Sequence, residues 1–138
     1  MGRFCMQEHE RWITIAKEDL AVAKALLSQE FFTPLTYHCQ QAAEKALKSY
    51  LIFKKQEILK THDLGKLIEL CKKFDNSFAT LDHAAAQLNP FSSKFRYPSE
   101  EEIPDLTDAK LAITHAQSIM VFVVKKIANP ATGQSNIF

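Results

Sequence analysis

The chain has 138 residues, of which 46% are hydrophobic and 24% are charged, the balance of an ordinary globular domain. Its three glycines are too few and too scattered for the clustered glycines of a P-loop or a Rossmann phosphate loop. The net charge of +1 does not indicate a nucleic-acid binder. Residues 40–98 nevertheless hold ten basic against six acidic residues, an excess compatible with a phosphate-bearing ligand or with solvated lysines alone.

The cysteines and the apolar runs indicate the compartment. Cys5, Cys39 and Cys71 are too widely spaced for a disulfide framework, and no C-x-x-C pair suggests a zinc or redox site. The N-terminus lacks the apolar core of a signal peptide, and the longest apolar run, IMVFVV, is shorter than a membrane span. We therefore expect a cytoplasmic protein without membrane association. One domain is predicted over residues 1–128, with a loose tail over 129–138.

Two long helices are predicted first along the chain. Apolar residues at steps of three and four predict a helix from Glu8 to about Gln29, and a second from Pro34 to about Lys55. The predicted buried stripe of the second helix comprises Cys39, Ala43, Ala46, Leu47, Tyr50 and Leu51. Its opposite side carries a continuous polar strip of His38, Gln41, Glu44, Lys45 and Lys48.

Shorter helices are predicted to follow. Thr61 has the residue type of an N-cap for the third helix, and Asp63 suits the positive end of its dipole. The predicted buried stripe of this helix comprises Leu64, Leu67, Ile68, Cys71 and Phe74. A fourth helical segment starts at about Ser77 and is broken or kinked at Pro90.

The last helix is predicted to start near Pro104, with Asp105 and Asp108 in its first turns. Near its C-terminus the sequence is apolar all round, so that end is either buried on every side or meets a second subunit. Short connections between the helices favour an all-α fold, an antiparallel up-and-down helical bundle of four to five helices.

The histidines do not predict a metal site. His38 and Cys39 are adjacent on a helix and point about 100° apart, which excludes joint ligation of one ion. His62, His83 and His115 have no second ligand three or four residues further on. We therefore predict neither a metal nor another cofactor, and Cys39 is expected to act as a small hydrophobe rather than a nucleophile.

Two polar segments have both a structural and a functional interpretation. His62 either packs at the start of the third helix, oriented by Asp63, or lies with Asp63 at a cleft mouth and contacts a ligand. Arg96, next to Tyr97, either forks onto a phosphate or carboxylate or pairs with an acidic residue such as Glu44. The polar strip of the second helix is likewise either a binding face or a solvated surface.

Read together, several stretches resemble the HEPN domain family. They are ERWITIAKEDLAVAKALL, YHCQQAAEKALKSYLI, KTHDLGKLIELC and FRYPSE, followed by a long final helix. The resemblance implies an antiparallel helical bundle that is commonly a homodimer. It also implies binding of nucleotides or RNA, often beside a small nucleotidyltransferase partner. Some members are metal-independent ribonucleases in toxin–antitoxin or defence systems.

The ribonuclease motif of that family is incomplete here. It consists of an arginine followed by a histidine after about four to six residues, which serve phosphate binding and acid–base chemistry respectively. Arg96 matches the arginine, but Glu101, Glu102 and Ile103 stand where the histidine is needed. Arg3 and His9 have an acceptable separation but lie far from the motif position. Cleavage of the usual kind is therefore not expected.

The resemblance thus favours a non-catalytic module that binds a nucleotide or a nucleotidyltransferase partner. Lys45, Lys48 and Arg96 are expected to meet phosphate, while the other site residues shape the cleft. The predicted ligand-binding residues are Gln41, Glu44, Lys45, Lys48, His62, Asp63, Arg96 and Tyr97. The alternatives are a ribonuclease with a displaced base, for which His62 is the best candidate, and a purely structural dimerisation module.

Overall fold

The predicted helical segments are helical in the structure, a computed structural model in which residues 5–92 and 103–129 are described. The helices are α1 (Glu8–Leu27), α2 (Phe32–Phe53), α3 (Leu64–Lys72), α4 (Asp82–Leu88) and α5 (Leu106–Ala128). Short 3₁₀ turns, Asn76–Leu81 and Asn89–Ser92, flank α4. Over the described ranges there is no β-strand. The predicted all-α bundle is confirmed.

Helix α2 lies at the centre of the bundle. It packs against α1, α3, α4 and α5, while α4 also contacts α3 and α5. The four-residue connection 28–31 turns the chain back, so α1 and α2 run antiparallel. Ala42, Ala43 and Ala46 are fully buried, and such small side chains allow neighbouring helices to approach closely. The predicted buried stripe of α2 is therefore confirmed, and nearly every other face of this helix is covered too.

The first two helices end in the same way, without glycine. Glu30 and Lys55, which follow α1 and α2, have φ of 61° and 66°. After α2, the backbone N–H of Gln56 donates to the carbonyl of Leu51 across 2.9 Å, the long bond of a Schellman cap. Glycine normally occupies this left-handed position because it avoids the Cβ clash.

The start of α3 differs from the prediction. Asp63 is the N-cap: its Oδ1 accepts from the backbone N–H groups of Gly65 at 2.9 Å and Lys66 at 3.4 Å. Thr61 stands outside the helix, where its hydroxyl accepts from the N–H of Asp63. The prediction of Thr61 as the cap is therefore wrong, because the carboxylate at position 63 is the one that reaches the first free N–H groups.

Two further boundaries differ from the predictions. Helix α3 ends at Lys72, so Phe74 follows the helix and is 43% exposed instead of completing its buried stripe. The segment predicted to be helical from Ser77 begins as a 3₁₀ turn and becomes α-helical only at Asp82. Pro90 lies within the second 3₁₀ turn, which suits a residue that cannot donate a backbone hydrogen bond.

Helix α5 starts at a reciprocal cap in which Asp105 and Asp108 each accept the other's backbone N–H. Its most apolar 18-residue window has a mean hydropathy of 1.3, so by length and composition this helix is capable of crossing a membrane. Core helices of water-soluble bundles meet the same criterion, and α5 packs against α1, α2 and α4. Its C-terminal end is not buried on every side, because Val121 is 44% exposed.

Candidate functional site

The polar strip of α2 divides into a buried and a half-buried part. Glu44 and Lys48 are only 4% and 5% exposed, whereas His38, Gln41 and Lys45 keep intermediate exposure. The interpretation of the whole strip as a solvated face is therefore wrong. The physical reason is long-range: the segment before α3 lies across this side of α2 and covers it.

The carboxylate of Glu44 is the centre of the buried part. Lys48 Nζ donates to its Oε2 at 2.9 Å, and the side-chain amides of Gln40 and Gln41 approach Oε1 at 3.4 and 3.3 Å. The amide of Gln40 also donates to the carbonyl of His62 at 3.0 Å. A buried ion pair persists when its remaining polar groups are satisfied, and these donors satisfy it.

His62 completes this network from outside. Its Nδ1 lies 3.0 Å from Oε1 and 3.2 Å from Oε2 of Glu44. A carboxylate paired with a lysine only accepts hydrogen bonds, so Nδ1 carries the hydrogen. The Nε2 atom then has a free lone pair in the neutral ring, and it has no partner among the residues that the structure describes. The His62 side chain is 63% exposed although the carboxylate holding it is 5% exposed.

His62 lies at the rim of an open cleft of about 640 Å³. The cleft is lined by Thr61, His62, Asp63, Ala86, Asn89, Pro90 and Ser92. It therefore lies between the start of α3 and the 3₁₀ turn after α4. Two of the predicted site residues, His62 and Asp63, meet in this cleft, whereas Gln41, Glu44, Lys45 and Lys48 are not among its lining residues.

Asp63 is held by the neighbouring turn. Asn89 donates from its amide to Oδ1 at 3.0 Å, and its own carbonyl oxygen accepts from the backbone N–H of Leu64 at 2.9 Å. The hydrogen bond from Asn89, together with those from the helix start, lowers the pKa of Asp63 below its ordinary value of 3.8. Asp63 is therefore ionised at neutral pH and joins the two walls of the cleft.

A second ion cluster lies between α1 and α2. Asp19, 9% exposed, accepts from Lys45 Nζ at 2.7 Å and lies 2.9 Å from Nδ1 of His38. Because the carboxylate of Asp19, like that of Glu44, only accepts hydrogen bonds, the hydrogen of His38 lies on Nδ1. The Lys45 side chain remains 25% exposed, so it keeps donors for a ligand beyond the one given to Asp19.

Two predicted site residues, Arg96 and Tyr97, lie outside the described residues, as do Arg3, Glu101 and Glu102. Within the described ranges no group of three His, Cys, Asp or Glu side chains is arranged to hold a metal ion. Cys39 is fully buried, and burial raises the pKa of its thiol to about 12, so it is no nucleophile at neutral pH.

Four residues of these networks were not among the predicted ligand-binding residues: Asp19, His38, Gln40 and Asn89. Asp19 is a carboxylate on the apolar stripe of α1, between Ala16 and Ala23, and a polar residue in such a stripe signals a buried partner. Gln40 stands four residues before Glu44, the spacing of a helical pair. Asn89 has no comparable local signal, since its partner Asp63 is 26 residues away.

Comparison with known proteins agrees with this architecture. Residues 9–127 match the sequence profile described as the HEPN domain. The chain belongs to the HEPN domain family. This confirms the resemblance, and the match runs from α1 through α5 and includes both walls of the His62 cleft.

Two solved structures resemble this HEPN domain closely. TT1696 from Thermus thermophilus superposes with a TM-score of 0.77 at 26% sequence identity. ST0689, an archaeal HEPN homologue, superposes with a TM-score of 0.72 at 27% identity. Each similarity covers 88% of this chain and 99% of the other. Among curated proteins, none matches this chain.

Proposed function

We propose that this HEPN domain is a non-catalytic module that binds a nucleotide or another phosphate-bearing ligand in the His62 cleft. One observation carries the proposal: a largely exposed imidazole is held by a nearly inaccessible carboxylate at the rim of an open cleft. A histidine that served only packing needs no such fixed orientation. A ligand-binding histidine gains from it, because less ring freedom is lost on binding.

The chemistry of the cleft suits a nucleotide. When it is protonated, His62 donates from Nε2 to a phosphate oxygen, while Glu44 keeps the ring in place through Nδ1. Asp63 Oδ2 has no hydrogen bond from the described residues and is available to a ribose hydroxyl or a base amine. Arg96 follows Ser92 by four residues, and four residues of chain span at most about 14 Å. In this proposal Arg96 meets phosphate, with Tyr97 beside it.

The remaining predicted residues take supporting roles in the proposal. Lys48 is 7% exposed in its side chain and neutralises Glu44 rather than touching the ligand. Gln41 bridges from Gln40 to Glu44 and keeps the carboxylate in place. Lys45, beside the cleft network on α2, adds positive potential.

A thermal-shift titration with a panel of nucleotides tests this proposal. A ligand at a hundredfold its dissociation constant adds about 2.7 kcal/mol of stability. That corresponds to a rise in the unfolding midpoint on the order of 10 °C for a small domain. We expect one nucleotide to produce the shift with wild type and to lose it with His62→Ala and Arg96→Ala. His83→Ala, which removes an exposed histidine on α4, is the matched control. An unchanged midpoint with every nucleotide would refute binding by the isolated chain.

The carboxylate–histidine pair also favours a second candidate, a metal-independent ribonuclease with His62 as a displaced base. The neutral ring has its lone pair on Nε2, where it can accept the proton of a ribose 2′-hydroxyl as that oxygen attacks the phosphorus. The attack forms a 2′,3′-cyclic phosphate, while the bond from phosphorus to the 5′ oxygen breaks and that oxygen takes a proton from water. RNA cleavage that disappears in His62→Ala, and falls in Glu44→Gln, would support this candidate over the non-catalytic module. Activity that survives both substitutions would exclude it.

Family membership adds two partners to the proposal, a second copy of the chain and a small nucleotidyltransferase. Co-expression with a nucleotidyltransferase encoded beside the gene tests the latter, and we expect the two to purify as one complex. The yield of the complex should then be compared between wild type and Arg96→Ala. If the partner binds at the cleft, replacing the arginine should weaken the complex. Separate elution of the two proteins would contradict the partnership.

A further inference from the structure

Three lysines of the central region that form no ion pair within the described ranges line one groove, which adjoins the His62 cleft at Thr61. Lys45, Lys48 and Lys72 all pair with carboxylates. By contrast, Lys60, Lys66 and Lys73 form no ion pair with any described residue, and all three line one groove. Three of the ten basic residues of segment 40–98 therefore line this groove without a carboxylate partner among the described residues.

The groove has an aliphatic floor. It encloses about 620 Å³ between the segment before α3 and α3 itself, with Leu59 and Leu70 among its lining residues. Its one acidic lining residue, Glu69, is already paired with Lys72 at 2.8 Å. Leu59 is 39% exposed, and its chain neighbour Ile58 is 43% exposed. An apolar patch rimmed by like charges marks an interaction surface.

The lining chemistry selects among possible occupants. Single-stranded nucleic acid is bound by aromatic rings that stack on its bases, and none of the lining residues is aromatic. A membrane requires apolar side chains that protrude, whereas these line a concavity. A peptide segment with one aliphatic side chain flanked by carboxylates matches both the floor and the rim.

This chain contains such a segment directly before α5, in the sequence SEEEIPDL from Ser99 to Leu106, of which residues 103–106 are described. Ile103 is 75% exposed and Leu106 is 46% exposed. Since Ile103 is so exposed, it does not occupy the groove of its own chain. Pro104 fixes its own φ and favours an extended residue before it, which lowers the entropy lost on docking.

We propose that the groove lined by Leu59, Lys60, Lys66, Leu70 and Lys73 docks the acidic segment around Ile103 of a second copy of this chain. Ile103 enters the aliphatic floor, and the neighbouring carboxylates meet the lysine rim. When each copy docks on the other, the contact closes a dimer; a one-way contact instead propagates into open chains. This proposal is independent of what binds the His62 cleft.

The first test uses a fluorescently labelled peptide, SEEEIPDL with both ends blocked, titrated with the full chain. We expect saturable binding that weakens at least about tenfold when serine replaces isoleucine in the peptide, since the anchor is lost while the charge is kept. The protein variant Lys66→Glu/Lys73→Glu should lose binding similarly. Lys17→Glu, an exposed lysine on α1, is the matched control and should bind as wild type does.

The second test is sedimentation of the full chain over a range of concentrations. Self-association of wild type should be lost in Ile103→Ser and in Lys66→Glu/Lys73→Glu, and kept in Lys17→Glu. A charge-swapped chain, Lys66→Glu/Lys73→Glu with Glu101→Lys/Glu102→Lys, should recover association, because the opposite charges are again paired.

Several results would overturn the proposal. The first is that the peptide does not bind at concentrations up to about 1 mM. The second is that the serine peptide binds as tightly as the isoleucine peptide. The third is that wild type stays monomeric at concentrations at which the peptide binds. A fourth is an oligonucleotide or an anionic vesicle that binds through Lys66 and Lys73 while the peptide does not.

Discussion

The exposed imidazole ring of His62 is hydrogen-bonded to the buried carboxylate of Glu44. Nδ1 of the ring lies 3.0 Å from Oε1, with the two side chains 63% and 5% exposed. The carboxylate is held in turn by Lys48 on the next turn of α2. The orientation of a surface histidine is thus determined by the central helix of the bundle, which is what makes the adjoining cleft a candidate binding site.

The first prediction concerns this buried ion pair. Glu44→Gln keeps the shape of the side chain but leaves Lys48 charged and buried without its partner, so we expect a loss of about 3–5 kcal/mol in unfolding free energy. Urea denaturation measures it. The matched control is Glu69→Gln, which breaks the pair between Glu69 and Lys72 at the surface and should cost far less. Equal costs for the two variants would contradict the assigned role of Glu44.

The second prediction concerns the bond between Asn89 and Asp63. Removing it by Asn89→Ala should destabilise the fold by about 1–2 kcal/mol at neutral pH. Because the wild-type pKa of Asp63 is lowered, chiefly by Asn89, this stabilisation exists above the unfolded pKa of 3.8 and is lost as pH falls through the lower folded value. The difference in unfolding free energy between wild type and Asn89→Ala should therefore become smaller in acid. Asn76→Ala, at an exposed asparagine, is the control, and a gap that does not change with pH would contradict the assignment.

The third prediction concerns His115, whose ring lies edge-on to that of His83 with centroids 5.6 Å apart. Burial, and secondarily the charge of His83, lowers the pKa of His115 below 6.5. The unfolded chain therefore binds the proton more readily, and stability should fall as pH drops through about 6.5.

Urea denaturation between about pH 7.5 and 5 measures this effect. His115→Gln should lose less stability over that range than wild type does. His83→Gln should reduce this loss of stability by a smaller amount, because burial lowers the pKa of His115 more than the charge of His83 does. Identical pH dependence in all three proteins would show that His115 does not contribute.

The fourth prediction concerns thiol reactivity. Cys5 is exposed, whereas Cys39 and Cys71 are buried and burial raises the pKa of both thiols to about 12. A thiol-specific reagent should therefore modify Cys5 quickly in the folded protein and reach the other two only in denaturant. Mass spectrometry of the modified peptides checks this, and rapid labelling of Cys39 would contradict the packing of α2.

The helices could be predicted from the sequence because their apolar spacing is local. The buried stripe of α2, including Cys39 and Leu47, follows from steps of three and four residues and is confirmed. The predicted N-cap of α3, Thr61, lies too early in the chain, because threonine and aspartate are both good caps and only the backbone path selects Asp63.

The site was only partly predictable, because its contacts join residues that are distant in the sequence. Glu44 and Lys48 have the spacing of a solvated helical pair, and nothing local indicates that the segment with His62 covers them. The bond between Asp63 and Asn89 joins residues 26 apart. The sequence did single out His62 and Asp63, because T-H-D at a helix start places a capping carboxylate directly after an imidazole.

The most direct measurement of the central claim is a nitrogen–proton NMR spectrum of the histidine rings during titration with the nucleotide that stabilises the protein. If the ligand occupies the cleft as proposed, the Nε2 signal of His62 shifts saturably with ligand, while the ring signals of His83 on α4 stay in place. The Nδ1 signal should also report the retained bond to Glu44. Saturable nucleotide binding that leaves every His62 signal unchanged would contradict the account.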